Sequence, residues 1–534
     1  MFSFQIAQTA GAQQQSVTDC ANLATLKIDN TSISDAADVP AGKPYSLVSA
    51  FAPPVVVTSL PEHCLVHGEV NYHKGANGKD YGDKFELRMP VDWQGRLLFL
   101  GGGGLDGVLK PAIEFSGPTT KPDSKSALGM GYAVVSTDGG HQAAGGMPTD
   151  GSFGSDPEAR ADYNYRSTKL VTEVARKIIA EFYRRPIQHS YFLGCSNGGR
   201  EGLIAGELYP EYFDGIVAGA PAFNLTHSAI AEAWSTVQLA KLAPKKPDGS
   251  PDLAQSLTAP DLKLLVNAVL DKCDALDGLK DGLIFNPQAC HFDPAVLKCA
   301  DGQTSGCLSE PKVGAIQNIF NGPHDSKGNA IYSAWPYDSG DAADGWRAWM
   351  TGVGPTPSFN VVIFPQFFNG LALAGAPPPI DIFKFNFDTD PARIDKASEE
   401  INATSTDWSA FRKKKGKLLL YTGMSDPVFS ALDLIRYYQQ LQEDNGGEKN
   451  SQNFARLFLV PGMNHCSGGP GLDDFDALGA MREWIEEGKA PDTMLAHGAA
   501  FPGRTRPLCA FPLIATYKGS GDSENSANFT CQKP

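Results

Sequence analysis

The sequence predicts an α/β protein in which helices cover both faces of a mainly parallel sheet, with one long segment inserted into that sheet. Short apolar runs alternate with helical patterns over the first 220 residues, the alternation stops after Pro221, and it resumes at Lys417. Strands that alternate with helices favour parallel pairing with burial on both faces. The 534 residues also exceed the length at which a single core usually stops growing, so a second structural unit is expected.

Each predicted strand is a short apolar run that ends at small or turn-forming residues. The predicted strands are 97–100, 133–135, 191–193, 216–218, 417–421 and 455–460. Apolar residues recur at helical spacing over 170–182, which predicts an amphipathic helix, and a further helix is expected over 200–208. We therefore divide the chain into an α/β domain formed by 1–222 and 410–534, and an inserted domain formed by 223–409.

Composition and charge argue against two classes of function. The net charge of −15 at pH 7 argues against a nucleic-acid partner, since phosphate binding needs clustered Lys and Arg. No apolar run is long enough to span a bilayer, so no membrane segment is expected.

The cysteines indicate the cellular compartment. Their number, ten, is even and no CxxC pair occurs, which favours disulfides over a zinc or redox site. Disulfides form in oxidising compartments, so we expect a secreted or periplasmic protein. Residues 1–17 contain no Lys or Arg and therefore lack the charged region that begins a signal peptide.

The most informative local motif is G-x-S-x-G at residues 194–198, between a predicted strand and a predicted helix. This context is typical of a serine nucleophile on a tight, strained turn, where the glycines let the neighbouring backbone pass without a clash. Ser196 is therefore the predicted nucleophile. The alternative is an ordinary strand–helix turn in which Ser196 only caps the helix.

A serine nucleophile needs a histidine base and an acid, which follow it in this order in proteins with this motif. Asp426 and His465 each lie five residues beyond a predicted strand, on loops at the same end of the sheet as Ser196. Asp426 has an alternative role as a turn residue before proline. Asp407 is a weaker acid candidate because no strand closely precedes it, and His141 precedes the nucleophile, so we interpret it as structural or pocket-lining.

Acyl transfer also requires donors for the developing oxyanion. One predicted donor is the backbone N–H of Asn197, directly after the nucleophile. The other is Gly104 in the glycine run 101–104, with Gly103 as its rival. The alternative for this run is a flexible turn.

Two cysteines are direct neighbours of the predicted catalytic residues. Cys195 precedes Ser196, and Cys466 follows His465. A disulfide between these two cysteines would hold the nucleophile and the base together from distant parts of the chain.

An acidic loop in the inserted segment predicts a calcium site. Hard cations bind carboxylate and carbonyl oxygens. The predicted ligands are the side chains of Asp274, Asp277 and Asp281 and the carbonyls of Leu279 and Leu283. An acidic solvated turn is the alternative. The flanking Cys273 and Cys290 favour a structural role over a catalytic one.

Together these motifs resemble the tannase and feruloyl esterase family, which carries a Cys-Ser, Asp, His-Cys arrangement. The resemblance extends over most of the chain and includes GCSNGGREG at 194–202, DGIVAGAP at 214–221, FARLFLVPGMNHCSGGP at 454–470 and YKGSGD at 517–522. It implies an α/β-hydrolase fold with a large inserted lid domain, and a structural Ca²⁺ in the lid. It also implies that Leu225 and Trp349 line the acyl pocket. The implied disulfides are Cys20–Cys64, Cys195–Cys466, Cys273–Cys290, Cys299–Cys307 and Cys509–Cys531.

One departure from the family bears on the substrate. Members that hydrolyse a terephthalate half-ester bind its free carboxylate with a lid arginine, but no Lys, Arg or His occurs here between Arg347 and Lys384. Losing a charge-assisted partner weakens binding of an acidic substrate. The resemblance therefore implies a serine carboxylesterase for small esters of hydroxycinnamic or gallic-type acids, acting through an acyl-enzyme, with terephthalate half-ester hydrolysis as the alternative.

Two other classes of function are alternatives. A catalytically silent binding protein would have the same fold, but every predicted catalytic position is intact. A serine peptidase would cleave amides, which a matched pair of ester and amide substrates distinguishes.

Overall fold

The computed structural model describes residues 19–47, 55–57, 60–113 and 126–534. The uncharged N-terminal segment 1–17 lies outside the described residues. The described strands form one nine-stranded sheet and three two-stranded sheets.

The strands are β1 (Thr31–Val39), β2 (Tyr45–Leu47), β3 (Val55–Val57), β4 (His63–Lys74), β5 (Asp80–Pro90), β6 (Arg96–Leu100), β7 (Tyr132–Thr137), β8 (His189–Cys195), β9 (Gly215–Gly219), β10 (Lys417–Gly423), β11 (Ala455–Val460), β12 (Thr493–Ala496), β13 (Arg506–Cys509), β14 (Ile514–Tyr517) and β15 (Phe529–Gln532).

The α-helices are α1 (Pro157–Ala161), α2 (Ser167–Tyr183), α3 (Asn197–Leu208), α4 (Leu225–Leu242), α5 (Ala259–Cys273), α6 (Glu310–Asn321), α7 (Asp344–Met350), α8 (Phe359–Pro365), α9 (Asp395–Ile401), α10 (Ser409–Lys413), α11 (Ala431–Asp444), α12 (Glu448–Ser451) and α13 (Ala477–Glu487). None of the described helices combines the length and the apolar character that a membrane crossing demands.

The main sheet has the strand order β1-β4-β5-β7-β6-β8-β9-β10-β11. Neighbours from β7 to β11 pair in parallel, whereas β1, β4 and β5 pair antiparallel at one edge. The predicted α/β class with a mainly parallel sheet is confirmed. The antiparallel edge was not predicted because the buried residues of β4 alternate with partly exposed ones, so β4 contains no continuous apolar run.

Each predicted strand corresponds to a strand of this sheet, from β6 to β11, and the predicted helices correspond to α2 and α3. Helix α3 begins three residues before the predicted start, at Asn197 directly after Ser196. The first N–H groups of a helix have no partner within the helix, so this start leaves the N–H of Asn197 without a partner inside α3.

The central strands are buried on both faces, as their apolar runs require. On β6, Leu97 and Phe99 pack in the core that contains residues of α2, α3 and α11, whereas Leu98 and Leu100 pack in the opposite core with residues of α13. Alternate side chains of a strand point to opposite faces, so a run of this kind needs cover on each side. This rigid centre positions the loops at the carboxyl edge of the sheet.

The chain between β9 and β10 forms the helices α4 to α10 and adds no strand to the nine-stranded sheet within the described residues. Helical periodicity is weak in this part of the sequence, and α4 shows one reason. Every residue of α4 from position 228 to 236 is buried, so this helix has no polar face to mark it as amphipathic.

Candidate active site

Ser196 occupies a sharp turn between β8 and α3. Its backbone has φ 64° and ψ −127°, outside the regions that non-glycine residues normally adopt. A Cβ on Gly194 would lie 2.4 Å from the carbonyl oxygen of Gly198, and a Cβ on Gly198 would lie 2.8 Å from the carbonyl carbon of Gly101. Glycine is therefore required at both positions, and the strained turn presents Ser196 at the carboxyl edge of the sheet.

His465 and Asp426 meet at the same edge. His465 Nδ1 lies 2.8 Å from Asp426 Oδ2, and the other oxygen, Oδ1, accepts the backbone N–H groups of Val428 (2.8 Å) and Phe429 (3.1 Å). The side chain of Asp426 is fully buried and that of His465 is 11% exposed. A proton on Nδ1 that points to a buried carboxylate leaves Nε2 free to accept a proton.

Ser196 and His465 are joined covalently through their sequence neighbours. Cys195 and Cys466 form a disulfide with a Cα–Cα distance of 6.0 Å across a sequence separation of 271 residues. Within the described part of the chain, the Ser196 hydroxyl makes no hydrogen bond with His465. Catalytic hydrogen bonds commonly tighten only when substrate binds.

A buried aspartate of the inserted segment connects the acid loop to the histidine loop. Asp338 Oδ2 accepts the hydroxyl of Ser425 (2.6 Å) and the N–H of Gly462 (2.7 Å). Burial raises the pKa of Asp338. The sequence analysis missed this residue because it lies in a segment of weak pattern, far from both loops along the chain.

In the part of the chain that the structure describes, three of the four N–H groups of the glycine run 101–104 have acceptors. The N–H of Gly101 donates to the Leu193 carbonyl (2.9 Å), that of Gly102 to Glu201 Oε2 (3.0 Å), and that of Gly103 to Asp106 Oδ1 (3.1 Å). Among the described residues, the Gly104 N–H and the Asn197 N–H have no acceptor. The geometry therefore favours Gly104 over its rival Gly103.

The residues expected to line the acyl pocket lie together beside the histidine. Leu225 and Trp349 pack against Phe429 in a small apolar cluster. The ring of Trp349 meets the His465 ring edge to face, with centroids 5.5 Å apart, and the Phe429 ring lies 5.3 Å from it. Phe429 was not predicted, although it lies only three residues beyond Asp426. The site therefore has an aromatic wall next to the base.

The rival acid and base lie elsewhere. Asp407 is exposed, and its Oδ1 accepts the N–H of Ser409 (3.0 Å) at the start of α10. His141 is buried and stacks on Phe153 with ring centroids 3.7 Å apart. Burial lowers the pKa of His141 to about 4, so it is neutral at physiological pH. Neither residue makes a contact that would serve the Ser196 chemistry.

Two carboxylates of the acidic loop in the insertion accept backbone N–H groups of the same loop. Asp274 accepts the N–H groups of Asp281 and Gly282, and Asp277 accepts those of Leu279 and Phe285. Burial, and to a lesser extent the neighbouring aspartates, raises the pKa of Asp277 to about 7.

The third carboxylate of this loop has an ionic partner. Asp281 pairs with Arg506, which lies in β13. The described residues contain no group of three or more His, Cys, Asp and Glu side chains arranged as metal ligands.

All ten cysteines are paired. The five disulfides join the pairs that the family resemblance implies: Cys20–Cys64, Cys195–Cys466, Cys273–Cys290, Cys299–Cys307 and Cys509–Cys531. No free cysteine remains among the described residues.

Parallel strands that end in a serine turn, an acid loop and a histidine loop, in this order along the chain, define a serine hydrolase of the α/β-hydrolase class. The family model of tannase and feruloyl esterase matches residues 64–532. The chain therefore belongs to the tannase and feruloyl esterase family and is a carboxylic ester hydrolase.

Relatives and solved structures agree with this assignment. The chain is 42% identical to the mono(2-hydroxyethyl) terephthalate hydrolase of Piscinibacter sakaiensis over 89% of this chain and 86% of that protein. It is 29% identical to the probable feruloyl esterase B-2 of Aspergillus flavus over 77% of this chain and 76% of that protein. The crystal structure of feruloyl esterase B from Aspergillus oryzae matches with a TM-score of 0.79 at 25% identity, over 96% of this chain and 98% of that chain.

Proposed function

We propose that this protein hydrolyses esters of aromatic carboxylic acids of the hydroxycinnamic or gallic type. Ser196 is the nucleophile, His465 is the general base and then the general acid, and Asp426 orients the imidazole of His465. The proposal rests on the buried His465–Asp426 pair, covalently tied to the Ser196 turn, beside an aromatic wall.

The chemistry follows from the contacts of these three side chains. With a proton on Nδ1, His465 uses Nε2 to take the proton of the Ser196 hydroxyl as Oγ attacks the ester carbonyl carbon. The N–H groups of Gly104 and Asn197 bind the oxyanion. His465 then gives its proton to the departing alcohol. A water molecule, deprotonated by the same imidazole, attacks the acyl carbon, and His465 returns that proton to Ser196 Oγ as the acid is released.

The character of the pocket supports a neutral aromatic acyl group. Leu225, Trp349 and Phe429 offer apolar surface next to the base. Arg347, the nearest cation in the chain before the uncharged stretch of the insertion, pairs with Asp344 at 3.0 Å. Mono(2-hydroxyethyl) terephthalate is the second candidate substrate, and it is favoured by the 42% identity to the hydrolase of that compound.

Comparing kcat/KM for methyl ferulate, methyl gallate and mono(2-hydroxyethyl) terephthalate tests the substrate class. We expect one of the two phenolic esters to exceed the terephthalate half-ester by about 10- to 100-fold, because a hydrogen bond to a charged group is worth about 1.5–3 kcal/mol. The methyl ester of the half-ester, which lacks the free carboxylate, is the matched control and should react faster than the half-ester itself.

A half-ester that reacts faster than its own methyl ester would contradict this substrate class, since it would require a cation that binds the carboxylate. Faster cleavage of an anilide than of the matching ester would instead favour a peptidase.

We further propose that residues 223–409 form a lid domain over the catalytic domain of residues 1–222 and 410–534, and that a structural Ca²⁺ stabilises the lid. Asp274 and Asp277 fit a hard divalent cation because both are buried and have no salt bridge among the described residues. The carbonyls of Leu279 and Leu283 would add two ligands, whereas the carboxylate of Asp281 would have to exchange its ion pair with Arg506 for the cation. Five disulfides support a secreted or periplasmic location.

Removal of calcium with a chelator should lower the melting temperature. A ligand at about 100 times its Kd stabilises the folded state by about 2.7 kcal/mol, which corresponds to roughly 2–3 °C for a chain of this size.

A raised pKa means that the folded, ion-free protein holds the Asp277 proton more tightly than the unfolded chain does. Its stability therefore falls as pH rises from the ordinary Asp range through about 7.

Calcium binds the ionised carboxylates, so the difference in melting temperature between the calcium-loaded and chelated protein should grow as pH rises through that range. Differential scanning calorimetry of both forms measures this difference. The Asp274→Asn/Asp277→Asn variant is the control and should not respond to the chelator. Identical melting curves with and without chelator at every pH would exclude a structural calcium.

A further inference from the structure

Two carboxyl groups lie buried beneath the glycine run, outside the proposed triad. Asp106 is 2% exposed and Glu201 is 8% exposed. Asp106 follows the run by two residues, and Glu201 is one helical turn beyond Asn197 on α3. They therefore belong to the two segments that carry the proposed oxyanion donors.

Each carboxyl group binds both segments. Glu201 accepts the N–H of Gly102 at Oε2 (3.0 Å) and the side-chain amide of Asn197 at Oε1 (2.9 Å). Asp106 accepts the N–H of Gly103 (3.1 Å) and the same Asn197 amide (2.7 Å), both at Oδ1. These bonds use the N–H groups of Gly102 and Gly103 and leave that of Gly104 for the substrate.

A tyrosine adds a third connection between the two donors. The Tyr163 hydroxyl lies 3.1 Å from the Gly104 carbonyl and 3.2 Å from Asn197 Oδ1. Arg200 Nε donates to the same Asn197 oxygen at 2.7 Å. Gly104 and Asn197, whose N–H groups have no acceptor among the described residues, are thus held in place by hydrogen bonds to the Gly104 carbonyl and to Asn197 Oδ1.

The surroundings indicate a proton between the two carboxyl groups. Asp106 Oδ2 is buried, and no N–H or hydroxyl donor faces it among the described residues. Burial and the charge of Glu201 raise the pKa of Asp106 well above its usual range. Two cations are near: Lys110 Nζ donates to the Gly102 carbonyl (2.7 Å), and Arg200 donates its Nη hydrogen bonds to backbone carbonyls. A proton on Oδ2 that is donated to Glu201 satisfies the otherwise unpaired atom.

We propose that Asp106 and Glu201 are positioning residues that share one proton and hold the glycine run against the start of α3, so that the Gly104 and Asn197 N–H groups converge on the oxyanion. This inference rests on the proposed function. It concerns the transition state, because the two carboxyl groups bind the segments that carry the proposed oxyanion donors.

The two carboxyl groups should respond differently to conversion to an amide. Glu201 uses both oxygens as acceptors, so Glu201→Gln places an NH2 group against an N–H donor. Asp106 uses one oxygen as acceptor and the other as a proton carrier, so Asp106→Asn reproduces its hydrogen bonds. We expect Glu201→Gln to lower kcat by about 10- to 100-fold with little change in KM, since misplaced oxyanion donors act on the transition state.

The test compares the wild type with Glu201→Gln, Asp106→Ala and Asp106→Asn. Asp106→Asn should regain most of the turnover that Asp106→Ala loses. The Ki of a boronic acid, which forms a tetrahedral anion on Ser196, should rise in parallel with the loss of kcat. Melting temperatures check that each variant is folded.

Several outcomes would overturn the inference. These are wild-type kcat in Glu201→Gln, equal losses in the two amide variants, and a loss of kcat without a change in Ki. If Ser196→Ala keeps full activity, the proposed function itself fails, and this result is distinct from all three. Should Asp106→Ala not fold, the comparison of Glu201→Gln with Asp106→Asn alone decides.

Discussion

Replacement of Ser196 by alanine should reduce the hydrolysis of every aromatic ester by about 10⁴- to 10⁶-fold in kcat. The reason is that the acyl group has no other nucleophile to which it can transfer. The His465–Asp426 hydrogen bond does not involve Ser196, so the base should remain in place. The apolar cluster of Leu225, Trp349 and Phe429 also remains, so binding of the aromatic acid should persist.

Steady-state kinetics measures kcat, and calorimetry with the product acid measures the binding of the aromatic acid. The matched control is Ser409→Ala, a serine that is exposed at the start of α10, and it should retain full activity. A Ser196→Ala protein that turns over at a tenth of the wild-type rate would exclude Ser196 as the nucleophile. Loss of binding together with turnover would indicate a collapsed pocket instead.

Removal of the Cys195–Cys466 disulfide should reduce both stability and catalysis. In the chain-entropy treatment of disulfides, a bridge that closes a long loop contributes about 5 kcal/mol, and this one spans 271 residues. The bridge also fixes the residues next to Ser196 and His465, so their separation should vary more without it. A displacement of about 1 Å costs about 100-fold in rate, and we expect a fall in kcat of at least about 10-fold.

The double variant Cys195→Ser/Cys466→Ser tests both effects, with urea unfolding and kcat as the two measurements. Its matched control is Cys299→Ser/Cys307→Ser, which removes a bridge that spans only 8 residues and is remote from the triad in the chain. The control should lose less stability and keep its kcat. Equal losses of kcat in the two double variants would refute a positioning role for the Cys195–Cys466 bridge.

The central strands and the order of the site residues could be predicted from the sequence because their signals are local. A buried parallel strand is a short apolar run, and the run 97–100 ends directly at the glycines that follow β6. Parallel strands bring their carboxyl ends to one edge, so residues shortly after β8, β10 and β11 converge without any knowledge of the packing. Ser196, Asp426 and His465 were predicted in this way, and the structure places Asp426 and His465 in hydrogen-bond contact.

Residues whose contacts are with partners distant in sequence have no local sequence signal of this kind. Asp338 connects the acid and histidine loops from within the insertion, and its sequence surroundings resemble an ordinary turn. Helix α4 of the insertion was also missed, because its central residues are buried on all sides and leave no exposed polar face. Both cases depend on neighbours that are distant in sequence.

The sequence by itself determined the family and the reaction class, and it predicted Ser196, Asp426 and His465 as the nucleophile, acid and base, since each depends on a short motif beside a recognisable strand. Only the tertiary structure decided which N–H group of the glycine run has no acceptor among the described residues, and therefore which one is the better candidate oxyanion donor. Gly101, Gly102 and Gly103 are chemically alike in the chain, and each loses its N–H to a partner that the fold brings near: Leu193, Glu201 and Asp106. A backbone donor is available only when no buried acceptor reaches it, and that depends on the packing of the whole domain.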